Sequence, residues 1–271
     1  MMDYHSRSAL IGVDQKGPAL YLTLKRPEKQ NALTYEMMEA IKEALRPVGE
    51  DWDIRAVVFQ GEGVDFCVGD NPEDLGEWPA EYRQRKPGGS HGPAPIPQQD
   101  MLKAIRSLPK PTIAILKGQV LGLGLDLACV CDLRICSREA MLGDPRILQA
   151  RHNTTGLTYI LPRLIGQSQA VRLLLLGEPI QGTEAERIGL VYKAFPPEMV
   201  DSEAEKIINQ ISEMPTRSYA VIKQQILDEL DMPYETALMH SFAIRQTNVI
   251  EDLKEGMEAF RQKRKPVFKG R

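Results

Sequence analysis

The sequence predicts an α/β protein. A largely parallel sheet spans residues 1–200, and a helical region spans 201–271. Three observations carry this. Short β-branched and aliphatic runs, Ala19 to Leu24, Arg55 to Gln60 and Thr112 to Leu116, are separated by stretches of helical periodicity. The second and third of these runs give way to glycine turns, at Gly61-Glu62-Gly63 and at Gly118, Gly122 and Gly124. From Asp201 onward the pattern is amphipathic and helical, with Pro215 and Pro233 as breaks that divide it into about three helices.

The elements follow in order. Ala9 to Val13 and Ala19 to Leu24, split by Lys16-Gly17-Pro18, read as a β-hairpin. Thr34 is a candidate N-cap for a helix over Tyr35 to Val48, whose apolar positions are Met37, Met38, Ile41, Ala44 and Leu45. Trp78 to Gln98, rich in Pro, Gly and charge, reads as a surface loop, either a cover for a site or a solvated insertion. Met101 to Leu108 is a helix. Leu133 to Cys136 is a strand, and Ala140 to Leu142 leads to Gly143-Asp144-Pro145-Arg146. Thr158 to Ile165 and Ser168 to Leu176 are helices, the second mostly buried, with a neighbouring subunit one option for its cover. Thr183 and Glu186 have the spacing of a capping box, and Val191 to Phe195 is a short strand.

Composition narrows the function. Apolar content is 42%, charged content 26% and net charge −3, so no nucleic-acid-binding balance is visible. No run approaches eighteen apolar residues, and the first residues lack a signal-peptide pattern, so a cytoplasmic location is expected, with organelle import left open. Cys67, Cys129, Cys131 and Cys136 show no zinc spacing and read as free buried thiols; no metal site is expected.

The stretch Lys110 to Asp132 organises the rest. It reads as a strand, a glycine turn and a buried helix starting near Leu123. A helix N-terminus stabilises an anion, and glycine lets a ligand approach the backbone. Asp126, the one acid of that helix, would stand beside the anion site, an arrangement suited to enolate chemistry. The alternative is a paired structural acid in a turn built for packing. It is not a dinucleotide fingerprint, because Leu127 fills the place of the third glycine.

Several segments together resemble the crotonase (enoyl-CoA hydratase/isomerase) family. These are Leu24 to Leu33, Phe66 to Asp70, the Lys110 stretch, Leu161 to Gly166, Ala185 to Val191 and the closing EGMEAFRQKRKPVFKGR. The resemblance covers essentially the whole chain. It implies a crotonase-like spiral of ββα units with a helical C-terminal trimerisation region, acyl-CoA substrates, no tightly bound cofactor beyond the coenzyme A carried by the substrate, and a homotrimer or dimer of trimers. It also implies an oxyanion hole formed by the main-chain amides of Asp70 and Leu123. Arg26 and the loop Asp70 to Leu75 fall at coenzyme A positions, and Lys263, with Arg264 and Lys265, is either a contact to coenzyme A of a neighbouring subunit or part of a solvated tail.

The carboxylates depart from the family pattern. Asp126 occupies the first glutamate position, as in the dienoyl-CoA isomerase branch. Arg146 occupies the second and cannot act as a carboxylic acid. Asn153-Thr154-Thr155-Gly156-Leu157 stands where a PGAGG-like segment is expected. Asp144 is either a compensating acid or the ion-pair partner of Arg146. His152 is either a proton relay or a surface histidine. Arg146 either binds a substrate carboxylate or the oxyanion, or pairs with Asp126 or Asp144. The first expectation is therefore an isomerase- or hydratase-like enzyme with Asp126 as acid/base. The alternatives are a hydrolase acting on a β-keto or cyclic acyl-CoA and a non-catalytic acyl-CoA-binding protein.

Overall fold

The computed structural model describes residues 4–74 and 96–271. Most of the predicted Trp78 to Gln98 loop therefore lies outside the described residues. Its end does not: Pro97 and Gln98 open a helix, Pro97–Arg106, four residues earlier than periodicity suggested. A proline at the first helical position needs no N–H there, and Ile96 before it is extended.

Strands β1 (Ile11–Lys16) and β2 (Ala19–Leu24) form the expected antiparallel hairpin. β2 then pairs in parallel with β3 (Ala56–Gly61), β3 with β4 (Thr112–Leu116), β4 with β6 (Leu133–Ser137) and β6 with β9 (Lys193–Phe195). A second sheet holds β5 (Gln119–Leu121), β7 (Met141–Gly143) and β8 (Ile180–Gln181), with β5 and β7 parallel. The chain thus alternates between sheets: β4 leads through Gly118 to β5 and then a helix, and β6 leads to β7. Sequence reading took β5 for part of a glycine turn. Three residues are too few to show a period of two.

Alternation along β2 divides the core. Leu20, Leu22 and Leu24 face one side with Val57, Phe59, Ala114 and the helices Tyr35–Leu45, Pro97–Arg106 and Leu123–Val130. Ala19 and Tyr21 face the other side with Val58, Ile113, Ile135 and the helix Val200–Ser212. Leu20, Leu22 and Phe59 are fully buried, each contributing about 1.5–3 kcal/mol. Thr34 caps its helix as expected, its side chain accepting from Met37 N at 3.1 Å. The helix Val200–Ser212 packs on the sheet through Val200, Ala204 and Ile208, so the chain does not leave the core at residue 200.

Several expectations need correction. Leu157–Leu176 is one helical run kinked at Gly166, and its second half is mostly exposed: only Ala170 and Leu173 are buried, whereas Val171, Leu175 and Leu176 face outward. Thr183 does not cap; the helix Gly182–Arg187 begins one residue earlier with Gln181 at the N-cap, and Glu186 instead accepts from Lys193 and the amide of Ala194. The last third holds four helices, Val200–Ser212, Thr216–Glu229, Tyr234–Thr247 and Asp252–Gln262, because an unmarked break follows Asn248.

The basic tail is docked. Arg55 donates to the carbonyls of Phe268 (3.0 Å) and Met214 (2.6 Å), and buried Asp252 accepts from the amides of Lys269 and Gly270. All four cysteines are free and buried. Among the described residues no helix is long and apolar enough to cross a membrane.

Candidate active site

A cleft of about 540 Å³ opens where the turn at Gly69 meets the turn at Gly122, lined by Val68, Gly69, Asp70, Gly122, Arg146 and Arg151 among others. Parallel bridges of Cys67 with Val120 and of Leu33 with Asp70 bring the turns together. The Leu33 amide donates to Gly69 O (2.8 Å) and the Asn71 amide to Leu33 O (2.9 Å), which leaves the intervening Asp70 amide out of the bridge. Gly122, at φ 52°, precedes the helix Leu123–Val130, so the Leu123 amide is one of the helix's free N–H groups. Neither the Asp70 nor the Leu123 amide donates to another protein group among the described residues. They are neighbours: a Cβ placed on Gly69 would lie 3.4 Å from Leu123 N. At Gly124 a Cβ would come within 2.3 Å of Cys67 O, so glycine there lets the helix touch the Cys67 backbone.

Behind the cleft wall lies a buried charge cluster. Arg146 clamps Asp126 through Nη1–Oδ2 (2.9 Å) and Nη2–Oδ1 (2.7 Å), and clamps Asp144 through Nε–Oδ1 (2.6 Å) and Nη2–Oδ2 (3.0 Å). Asp126 also accepts from Asn153 Nδ2 at 3.3 Å and, over a very short contact, from the Thr155 hydroxyl. All four acceptor positions of Asp126 are thereby filled. Burial pushes the Asp126 carboxyl above its ordinary range, against the pull of Arg146 and Thr155, and the surplus negative charge of two carboxylates on one guanidinium acts in the same direction. Arg146 is held charged: burial alone would lower its pKa, but the hydrogen bonds and charges of Asp126 and Asp144 raise it.

Of the alternatives for this cluster, pairing is the arrangement the structure contains. Arg146 takes Asp126 and Asp144 together, and Asp144 is an ion-pair partner and cap of the short 3-10 turn Pro145–Gln149. His152 is exposed and is not among the residues lining the cleft. Arg26 does not line it either; its guanidinium bonds the Ala32 carbonyl and Asn71. Lys263 is the left-handed C-cap of Asp252–Gln262, and its neighbours Arg264 and Lys265 pair with Glu255 and Glu213. Among the described residues the cations on the cleft wall are Lys29, Arg146 and Arg151. Sequence reasoning missed Lys29, Arg151 and Thr155. Lys29 sits in the turn already singled out at Arg26 and Thr155 in the Asn153 to Leu157 segment already singled out as a departure, whereas nothing in the pattern marks Arg151. Asn153 also has a local duty, its Oδ1 accepting from the amides of Thr155, Gly156 and Leu157.

The enoyl-CoA hydratase/isomerase family model matches residues 14–271. The chain belongs to this family. Among enoyl-CoA hydratase/isomerase relatives, the (E)-benzylidenesuccinyl-CoA hydratase of Thauera aromatica is 34% identical over 259 residues, covering 92% of this chain and 95% of the relative. A Bacillus anthracis enoyl-CoA hydratase structure superposes with a TM-score of 0.85 at 27% identity, over 97% of this chain and 100% of that one. An enoyl-CoA hydratase of Geobacillus kaustophilus gives 0.86 at 27%, over 98% of each chain. The ββα spiral is thus the crotonase fold, and the protein is an acyl-CoA-processing enzyme of this family.

Proposed function

We propose that the protein holds an acyl-CoA thioester with its carbonyl oxygen between the amides of Asp70 and Leu123, and isomerises or hydrates an enoyl group through the enolate formed there. Asp126 moves a proton, and coenzyme A arrives as part of the substrate without a tightly bound cofactor. The observation that supports this reading is the pair of neighbouring unengaged amides, Asp70 in the cleft wall and Leu123 directly after the wall residue Gly122. Two such donors stabilise charge that develops on the oxygen, each worth about 3 kcal/mol of barrier. To act, Asp126 gives up one of its four hydrogen bonds, and the 3.3 Å bond from Asn153 is the longest.

A second reading has its own observation. With every acceptor position of Asp126 filled, that carboxylate anchors Arg146, and the chain binds acyl-CoA without turning it over. We further infer a homotrimer or dimer of trimers, supported by exposed apolar side chains such as Ile222, Ile226, Leu230, Leu238 and Phe242 on the C-terminal helices.

A panel of enoyl-, dienoyl- and β-ketoacyl-CoAs, tested on the wild type and Asp126→Ala, separates the readings. Turnover lost in the variant supports Asp126. Thioester binding with no turnover by the wild type supports the second reading, and turnover confined to β-ketoacyl substrates points to a hydrolase.

A further inference from the structure

We propose that Asp70 contributes its carboxylate as well as its amide, taking and returning the proton on the carbon next to the thioester carbonyl. The proposal rests on the acyl-CoA reading above and supplies the second acid that Arg146 denies to the usual family position.

Asp70 lines the cleft, and its side chain is only 9% exposed. Among the described residues two donors hold it: Gln98 Nε2 reaches Oδ1 at 3.2 Å and Arg151 Nη2 reaches Oδ2 at 3.0 Å. A carboxylate has about four acceptor positions, so two remain open to substrate. Asp126 has none open. The amide and the carboxylate belong to one residue, so an oxygen bound by the amide brings the adjoining α-carbon next to the same side chain.

Gln98 is the second observation. It is buried at 7% exposure, and among the described residues its Oε1 has no hydrogen-bond partner. An ionised Asp70 is served by the Gln98 N–H, as seen. A protonated Asp70 needs an acceptor, and rotating the Gln98 amide brings Oε1 into that place. One side chain can therefore hold both protonation states, while Arg151, itself on the cleft wall, holds the other carboxylate oxygen.

The step balances without a co-reactant. The α-carbon's C–H bond breaks, its proton passes to an Asp70 oxygen, and its electron pair enters the enolate, whose charge rests on the thioester oxygen between the two amides. The reverse step returns a proton to the same carbon. Gln98 and Arg151 act through Asp70 and are positioning residues.

The test is α-proton exchange of butyryl-CoA in D2O, followed by NMR. Asp70→Asn keeps the amide and is expected to slow exchange by about 10²–10⁴-fold with butyryl-CoA affinity retained. Asp70→Ala is expected to be slow as well and to recover as formate is added. Arg151→Gln is expected to lower kcat with KM unchanged, and Arg151→Lys to restore part of it. Exchange at the wild-type rate in Asp70→Asn, or no response of Asp70→Ala to formate, overturns the proposal while leaving the acyl-CoA reading intact. A wild type inert towards every thioester overturns both.

Discussion

Arg146→Met removes the cation from a buried site and keeps most of its apolar stem. It leaves Asp126, at 2% exposure, and Asp144, at 3%, without their shared partner, and it cancels four bonds of 2.6–3.0 Å. Stranding a buried charge costs about 3–5 kcal/mol, and here two carboxylates are stranded together. A loss at the upper end of that range is expected at pH 7.5. The sign with pH follows from the same chemistry. Without Arg146 only the Thr155 hydrogen bond opposes the burial that already pushes Asp126 up, so the folded variant binds protons more tightly than the unfolded chain. Its deficit is therefore largest at high pH and shrinks as pH falls towards 5, by at most about 1.4 kcal/mol per pH unit per proton taken up. Arg146→Glu adds a third carboxylate to the cluster and is expected to be less stable than Arg146→Met, so it does not rebuild a two-glutamate site. Urea unfolding of wild type and variants at pH 7.5 and 5.5 measures this. A loss below about 1 kcal/mol for Arg146→Met at both pH values would refute the buried-cluster argument.

Two further outcomes follow from the geometry. Gly69→Ala places a Cβ 3.4 Å from Leu123 N and 3.3 Å from Leu121 O, at a backbone φ of 117° that side chains rarely adopt. It is expected to lower kcat by about 10²–10³, as loss of one oxyanion donor does, and to cost about 1–3 kcal/mol in urea unfolding; full activity in the variant would argue against the hole. The buried thiols set an alkaline limit. Burial pushes Cys67, Cys129 and Cys136 up to about 12 and Cys131 higher still, so above pH 9 the unfolded chain loses thiol protons that the folded one keeps, and stability falls as pH rises. Lys110 works the other way: burial lowers it to about 8, and its share of stability rises over the same window. Four thiols against one lysine give a net loss on the order of 3 kcal/mol from pH 9 to 10. Urea midpoints across that interval check it, and a rising midpoint would contradict the assignment.

Local pattern carried the strands well, because alternation along Ala19–Leu24 and the unbroken apolar runs of Ala56–Gly61 and Thr112–Leu116 report directly which faces are buried. It failed at Ser168 to Leu176, where leucines that read as core face outward on the single chain. Hydrophobicity states that a surface is to be covered, not by what. The Thr183–Glu186 spacing failed for a related reason. A capping box competes with every other donor in reach, and Lys193 and the Ala194 amide took Glu186. Asp126 and the turn at Gly122 and Gly124 were legible as one neighbourhood, since adjacency along a helix start is fixed by chain geometry, whereas the approach of Asp70 to them was only what the family resemblance implied. Thr155, Arg151 and Gln98 were not, because each meets its carboxylate only after segments distant in sequence have packed.

Taken alone, the chain's order of residues determined the alternating architecture, the buried thiols and the pairing of a glycine turn with a helix start, since all of these depend on spacing within a few residues. Only the folded arrangement decided what Arg146 does. A guanidinium twenty residues from one carboxylate and two from another binds both because the fold removes all three from water together, and a desolvated charge takes whatever opposite charge shares its pocket.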